Sequence, residues 1–429
     1  MKNLFYLTVL LLFIATPAKA EIYILIDQFT PEQRFPIAVA DLGGSSDTAH
    51  ELTEMLKKNL NLAGYFEVID RSRFTDHSGH YLPEDIDFSK WTGIGARGLI
   101  TGVVKGGSTV ELRLFDPQLG KMLVGKRYKV KKKALYVAIH RFMDEILLAL
   151  TGERGFYNTK IVAACGPLSK KQIMIMNVDG TGITPITKNK VNNISPSWSP
   201  FADRIAYTSY ASYFPEIYIS GIKGGKAKRI TFNKALNITP TFTPDGNYLA
   251  VSSSMGGDPD LYLFDTEGNQ VRQITQTTGI DIAPTFSPDG ERLIFASERA
   301  GNLHLFAVNK QGGETTRLTY FGYQNDSPDW SPRSDKVVFS TRVGGEFNVA
   351  LMNADGSGFQ QLTQGGGSNE SPTFSPDGRF IVYSTVHRNA KSELKLMMWD
   401  GYNQTVIENK NNCINSDWSN WLDAAEKQK

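Results

Sequence analysis

The sequence predicts a small α/β domain, a mixed sheet with two helices, followed by an all-β six-bladed β-propeller closed by pairing of the two ends of its repeat region. Three observations carry this. A motif of the form Ser/Thr-Pro-x-aromatic-Ser/Thr-Pro returns with its first proline at 196, 240, 284, 328 and 372 and Ser416 in the sixth place, a constant step of 44 residues. Thr187, Thr231, Thr275, Thr319 and Thr363 each close a short run ending Ile/Leu-Thr at the same step. The residues before 157 lack the repeat and alternate between strand-like and helix-like stretches. Self-similarity at this period is the signature of one four-stranded propeller blade per repeat.

The chain begins with a basic Met1-Lys2-Asn3, a solid apolar run over 4–14 and Ala18-Lys19-Ala20. That is the pattern of a cleaved secretory leader over 1–20, too short in its apolar run for a permanent span. No Cys precedes Glu21, so a lipid anchor is not expected, and the mature protein is placed outside the cytoplasm. Of 46 Lys and Arg against 44 Asp and Glu, two basic residues leave with the leader. A neutral mature chain has no global electrostatic reason to hold nucleic acid.

Residues 21–156 read as the small domain. Glu21, Ile22, Tyr23, Ile24, Leu25, Ile26 and Asp27 alternate as a strand would, either of this domain or added to a partner's sheet. A buried strand over 36–42 leads through a Gly-Gly-Ser-Ser-Asp turn into a helix to about 62, whose apolar face is Leu52, Met55, Leu56 and Leu60. Strands are predicted over 66–70, 98–104, 109–116 and 121–130, and a second helix from about 133 to 151 that Gly152 ends.

Residues 157–422 are repeat, and 423–429 a short tail. Each unit reads as four strands, with Ser-Pro-Asp-Gly as the hairpin between the first and second, Pro presetting φ and Gly supplying a positive φ. The aromatics at 198, 242, 286, 330, 374 and 418 occupy one structural position and read as packing between blades. The stretch 160–187 lacks a first strand and 415–420 is a first strand with nothing after it, so the two ends complete one blade. In the other blades, Asn or Asp three residues before the marker Pro faces Ser or Thr thirteen after it. In the shared blade those slots hold Cys413 and Cys165, which predicts a disulfide in an oxidising compartment.

Little else carries chemistry. His77 and His80 lack further ligands and read as solvated loop residues, and the basic run at Lys126, Arg127, Lys129 and 131–133 reads as a solvated edge or a site for an acidic partner. No G-x-S-x-G elbow is present, and Asp245, Asp289 and Asp377 sit in repeated turns. No catalytic constellation, metal or cofactor is expected.

The order of parts, with Leu150-Thr151-Gly152 before the repeats, Tyr128-Lys129-Val130 in the last small-domain strand and Asp417-Trp418-Ser419 at the close, resembles the TolB family of Tol–Pal propeller proteins over essentially the whole mature chain. The resemblance implies a non-enzymatic periplasmic adaptor linking the lipoprotein Pal to TolA, supporting outer-membrane integrity and constriction at division, with other outer-membrane or peptidoglycan-associated proteins as further partners. It places the Pal site at the tunnel mouth, here Leu236, Thr239 and Ile282, with Arg299, Arg342, His387 and Arg388 on nearby loops. Leu236 departs from the polar residue of the family pattern. The TolA-binding element maps onto 21–32. The cysteine pair is an addition that the family pattern does not require. The alternative is a secreted propeller enzyme, a polysaccharide lyase or glycosidase acting in the tunnel.

Overall fold

The computed structural model describes residues 33–44, 46–75, 83–131, 134–232, 234–408 and 410–423. The predicted leader, the segment 21–27, His77, His80 and the end of the tail lie outside the described residues. Among those described, no helix is long and apolar enough to cross a membrane.

The small domain runs β1 (Phe35–Val39), β2 (Gly43–Gly44), α1 (Ser46–Ala63), β3 (Phe66–Val68), α2 (Phe88–Gly93), β4 (Gly98–Lys105), β5 (Thr109–Asp116), β6 (Lys121–Lys129) and α3 (Tyr136–Thr151). The sheet order is β3-β1-β4-β5-β6, with β1 parallel to both neighbours, β2 pairing parallel to the end of β4, and β4, β5 and β6 antiparallel in turn. α1 and α3 cover one face, where Leu52, Leu56, Leu60, Ile139, Phe142, Ile146 and Leu150 are fully buried. Gly152, at φ 73°, ends α3 and donates its N–H to Leu148 O at 2.9 Å. The short α2, which the hydrophobic pattern does not reveal, covers the opposite face. It has one fully inward side chain, Trp91, set edge-on to Phe74 at 5.0 Å, so six residues give no helical period to read. Asp87 starts it by accepting the Ser89 N–H at 3.1 Å.

Six four-stranded antiparallel sheets follow as a ring. Blade 3 is representative: Asp281–Phe286, Arg292–Ser297, His304–Asn309 and Thr315–Arg317. The sixth blade joins Ile414–Trp418 to Lys160–Cys165, Gln172–Asn177 and Thr184–Pro185, so both ends of the repeat region meet in one sheet. The marker Thr residues share one role. The Oγ1 of each accepts an N–H from the first half of the third strand, at 2.8–3.0 Å for Ile173, Ile217, Leu261, Leu305 and Val349. Each repeated aromatic packs on the preceding blade: Trp198 on Val162 and Ala164, Trp330 on Ile294 and Ala296, Trp418 on Val382 and Leu394. In the turns, Asp289 accepts from Ser287 Oγ at 2.5 Å and Glu291 N–H at 3.0 Å, and Gly290 takes φ 71°.

One repeated feature is not legible from the motif. Ser195, Thr239, Ala283, Ser327, Ser371 and Asn415, each directly before the marker position, have φ of 48–52°. The register slips there in every first strand, between Ile282 and Thr285 in blade 3. Each is a bulge that bends the innermost strand round the tunnel, and Pro is tolerated because the bulge needs no ladder donor from it.

In three blades the paired slots are hydrogen bonded: Ser209 Oγ donates to Asn193 Oδ1 at 2.7 Å, Ser253 to Asn237 at 2.8 Å and Thr385 to Asn369 at 2.8 Å. In the sixth, Cys165 and Cys413 are joined by a disulfide across 248 residues of chain, and both are fully buried.

The two domains share one core. Phe156 of the linker lies 4.4 Å from Phe380 and 6.1 Å from Trp418 between ring centres, and Tyr65 of the small domain lies 6.1 Å from Phe380. Beside this, Asp179 of the sixth blade, fully buried, receives His140 Nε2 of α3 at 2.9 Å and Asn59 Nδ2 of α1 at 3.4 Å. Burial pushes the Asp179 carboxyl up, but His140 and Thr181 outweigh it and hold it well below the ordinary carboxylate range.

Replacing Cys165 and Cys413 by Ser should cost up to about 5 kcal/mol, the loss expected when a very long loop is no longer closed in the unfolded chain, read from denaturant midpoints against the oxidised protein. Asp179→Ala should cost about 3–5 kcal/mol by stranding buried polar partners. Because the folded carboxyl titrates lower than the unfolded one, that contribution should be present above pH ~4 and fade as pH falls further, visible as convergence of the two melting temperatures in acid.

Candidate partner-binding face and tunnel

The propeller has two unlike ends. The Ser-Pro-Asp-Gly turns lie at the end that the small domain covers, as the Phe380 contacts place it. At the other end first strands begin, second strands finish, and the loops are not covered by described residues.

Two rings of six residues line the passage, and a third stands above them where the first strands begin. At the mouth, two residues before each marker, stand Ile194, Ile238, Ile282, Asp326, Glu370 and Ile414. Blades 4 and 5 thus put two carboxylates into an otherwise isoleucine ring. Burial pushes Asp326 up to about 6, against hydrogen bonds from Ser327 and Gln324, and burial and the Asp326 charge raise Glu370. Below come the positive-φ residues. The waist is Ser197, Thr241, Thr285, Asp329, Thr373 and Asp417, between cavities of about 140 and 270 Å³.

Waist side chains join blade to blade. Asp417 accepts the Trp198 N–H at 2.6 Å, Asp329 the Phe374 N–H at 2.8 Å and Thr285 the Trp330 N–H at 3.4 Å. Thr373 Oγ1 lies 3.2 Å from Asp329 and 3.3 Å from Asp417. Burial pushes Asp329 up to about 7, with the Asp417 charge adding to it, and Asp417 itself to about 6.

The residues named from sequence for the tunnel mouth lie at the open end but differ in availability. Thr239 faces the tunnel, its Oγ1 2.9 Å from Ser252 Oγ. Ile282 is half-buried in the mouth ring, and Leu236 is half-buried with its N–H donating to Ser254 Oγ at 3.1 Å. Arg299 is occupied within blade 3: it donates to Asp281 at 2.8 Å, Ser297 at 2.8 Å and Thr315 at 2.5 Å and lies 5.0 Å over Phe306. Only 17% of its side chain is exposed, so its role here is to hold the blade. Arg342 spans Tyr323 and Phe347 at 5.9 and 5.8 Å, His387 meets Glu393 at 3.3 Å, and the exposed Arg388 reaches Glu346 of the neighbouring blade at 3.4 Å.

The open end also carries exposed aromatics that sequence reading passed over: Tyr213 (94% exposed), Tyr320 (73%), Tyr323 (63%) and Phe232 (61%). Phe232 and Tyr320 directly follow a marker Thr, where other repeats have Lys or Gln, and that switch is the signal. Both rest on an arginine that is itself fixed. Arg229 lies 4.6 Å over Phe232 and donates to Thr231 O, and Arg317 lies 4.8 Å over Tyr320 and donates to Thr319 O. Such propped aromatics on rigid loops suit a protein partner. Among the described residues, no three His, Cys, Asp or Glu side chains converge to hold a metal ion.

Asp329→Asn would keep an acceptor for the Phe374 N–H and remove a buried charge. A carboxyl raised on folding weakens the fold as pH rises from about 4 to about 7. The variant should therefore melt higher than the parent at pH 8, with the gap shrinking towards pH 5, by differential scanning fluorimetry.

Comparison with known proteins is consistent across both domains. Residues 23–123 match the TolB amino-terminal domain and residues 148–422 the TolB beta propeller domain. The Tol-Pal system protein TolB of Desulfosudis oleivorans is 35% identical over 199 residues, 44% of this chain and 45% of that protein. That of Chromobacterium violaceum is 32% identical over 196 residues, 45% of each. The chain thus spans about half the length of the curated relatives it matches. The crystal structure of TolB from Acinetobacter baumannii is similar with a TM-score of 0.79 at 26% identity, covering 90% of this chain and 97% of that one. A chain of the nidogen–laminin complex shares the fold alone, at TM-score 0.52 and 12% identity. With the propeller description spanning well over half of its residues, the chain belongs to the TolB family.

Proposed function

We propose that the protein is a periplasmic, non-enzymatic adaptor of the Tol–Pal system that receives Pal on the open end of the propeller and engages TolA through residues 21–32, supporting outer-membrane integrity and constriction at division. The observation that carries the reading is the open end itself: exposed aromatics on short loops around a mouth, with the opposite end covered by the small domain. A rigid ring of loops binds a folded partner with little loss of conformational freedom. Residues 21–27 alternate as an edge-adding strand would, which suits engagement of a second partner away from the mouth. Family membership supports this reading over a polysaccharide lyase or glycosidase working in the tunnel.

Pull-down from envelope extract tests it. Ile282→Asp combined with Tyr320→Ala should abolish co-purification of Pal and leave TolA capture intact. Deleting 21–32 should do the reverse. Pal capture unaffected by the mouth variant would overturn the assignment of that face, and oligosaccharide turnover by the purified protein would overturn the adaptor reading.

A further inference from the structure

The last strand of the small-domain sheet is its longest, and among the described residues its outer side is open. β6 pairs with β5 through Val110↔Tyr128, Leu112↔Lys126 and Leu114↔Val124, and no described strand lies beyond it. The Val130 N–H donates to Ser108 O at 2.9 Å. In an antiparallel ladder the bonded pairs alternate, so Tyr128, Lys126 and Val124 bond inward and the backbone groups of Gly125, Arg127 and Lys129 point outward. Such an edge is a template for another strand unless something blunts it. Here there is no Pro within β6, and its one register shift lies at the far end, by Leu114 and Phe115.

Charge then selects the strand. β4, β5 and β6 carry Lys105, Arg113, Lys121, Lys126, Arg127 and Lys129 against Glu111 and Asp116. Glu111 is buried and already surrounded, by Lys105 at 3.1 Å, Arg113 at 3.1 Å and Arg127 at 2.9 Å, while Lys126 is held by Glu145 of α3 at 2.8 Å. Lys129 and Lys131 are exposed, and the sequence continues Lys132-Lys133. The excess is therefore positive along the outward-facing backbone. Repulsion disfavours a second copy of β6 in that place, and the same charge favours an acidic strand. An anionic lipid surface would use the charge but not the directional row of amides.

We propose that the open edge of β6 is a docking site for an extended, acidic segment of a partner protein, which adds to the small-domain sheet as a further strand. This surface is on a different domain from the tunnel mouth and does not depend on what binds there.

The test uses the full mature chain and a capped peptide of alternating Glu and Val, with a Lys/Val peptide and phosphatidylglycerol vesicles as comparison probes. The acidic peptide should slow hydrogen exchange at the Gly125, Arg127 and Lys129 amides, and salt should weaken it. Lys129→Glu with Lys131→Glu should lower its affinity about tenfold or more. Lys129→Pro, which removes an outward donor that the fold does not use, should lower it further than Lys129→Ala does. Binding without protection of those three amides would overturn the proposal. So would equal binding of the Lys/Val peptide, or vesicle binding that exceeds peptide binding and ignores Lys129→Pro.

Discussion

The structure depends on closure of a ring by the two ends of one repeat region. A propeller of antiparallel blades has no free edge towards its neighbours only when the last blade meets the first. Here the meeting is made by Ile414–Trp418 lying against Lys160–Cys165. That one strand serves three neighbours. It packs Trp418 on blade 5 and beside Phe156 of the linker, and it lends Asp417 to the Trp198 N–H of blade 1. The disulfide sits at its upper end and the small domain at its lower end. A break in this seam would open the barrel of blades and loosen the small domain together, because both rest on the same side chains.

The tunnel follows from the same economy of parts. Each first strand lines it, and each must curve tightly while its inner edge has no strand to pair with. The left-handed residue and the Pro after it make the curve, and the side chain after the Pro reaches across to the next blade's backbone. Positive φ at Thr239 or Ser371 is a conformation that these residues resist by themselves. The closed ring holds it. The passage is thus a structural joint first, and its buried carboxylates, Asp329 and Asp417, serve as acceptors for backbone N–H groups.

Repetition made most of the fold legible. Six aromatics at one step of 44 reveal blades, and an incomplete first and last unit reveal closure, without any single strand needing a strong pattern. Where the chain does not repeat, reading depended on helical period: α1 and α3 have three or more turns of it, and the six-residue α2 has none. The site was less legible. Listing loop arginines by position treated Arg299 as available, although Asp281, Ser297 and Thr315 consume it, and such pairing is set by three-dimensional neighbours. Conversely, Tyr320 and Asp326 announce themselves only when each repeat position is compared down all six copies for the residue that differs.

The mouth ring is one place where the six copies diverge. Six near-identical blades would offer an incoming protein six equivalent ways to land. With isoleucine at four places and Asp326 and Glu370 side by side at the other two, the ring has a marked direction, like a keyed socket. A partner that matches apolar and charged sides can seat in one rotation only. On the adaptor reading proposed above, such a ring would set not just which protein seats there but which way that protein faces relative to the small domain beneath.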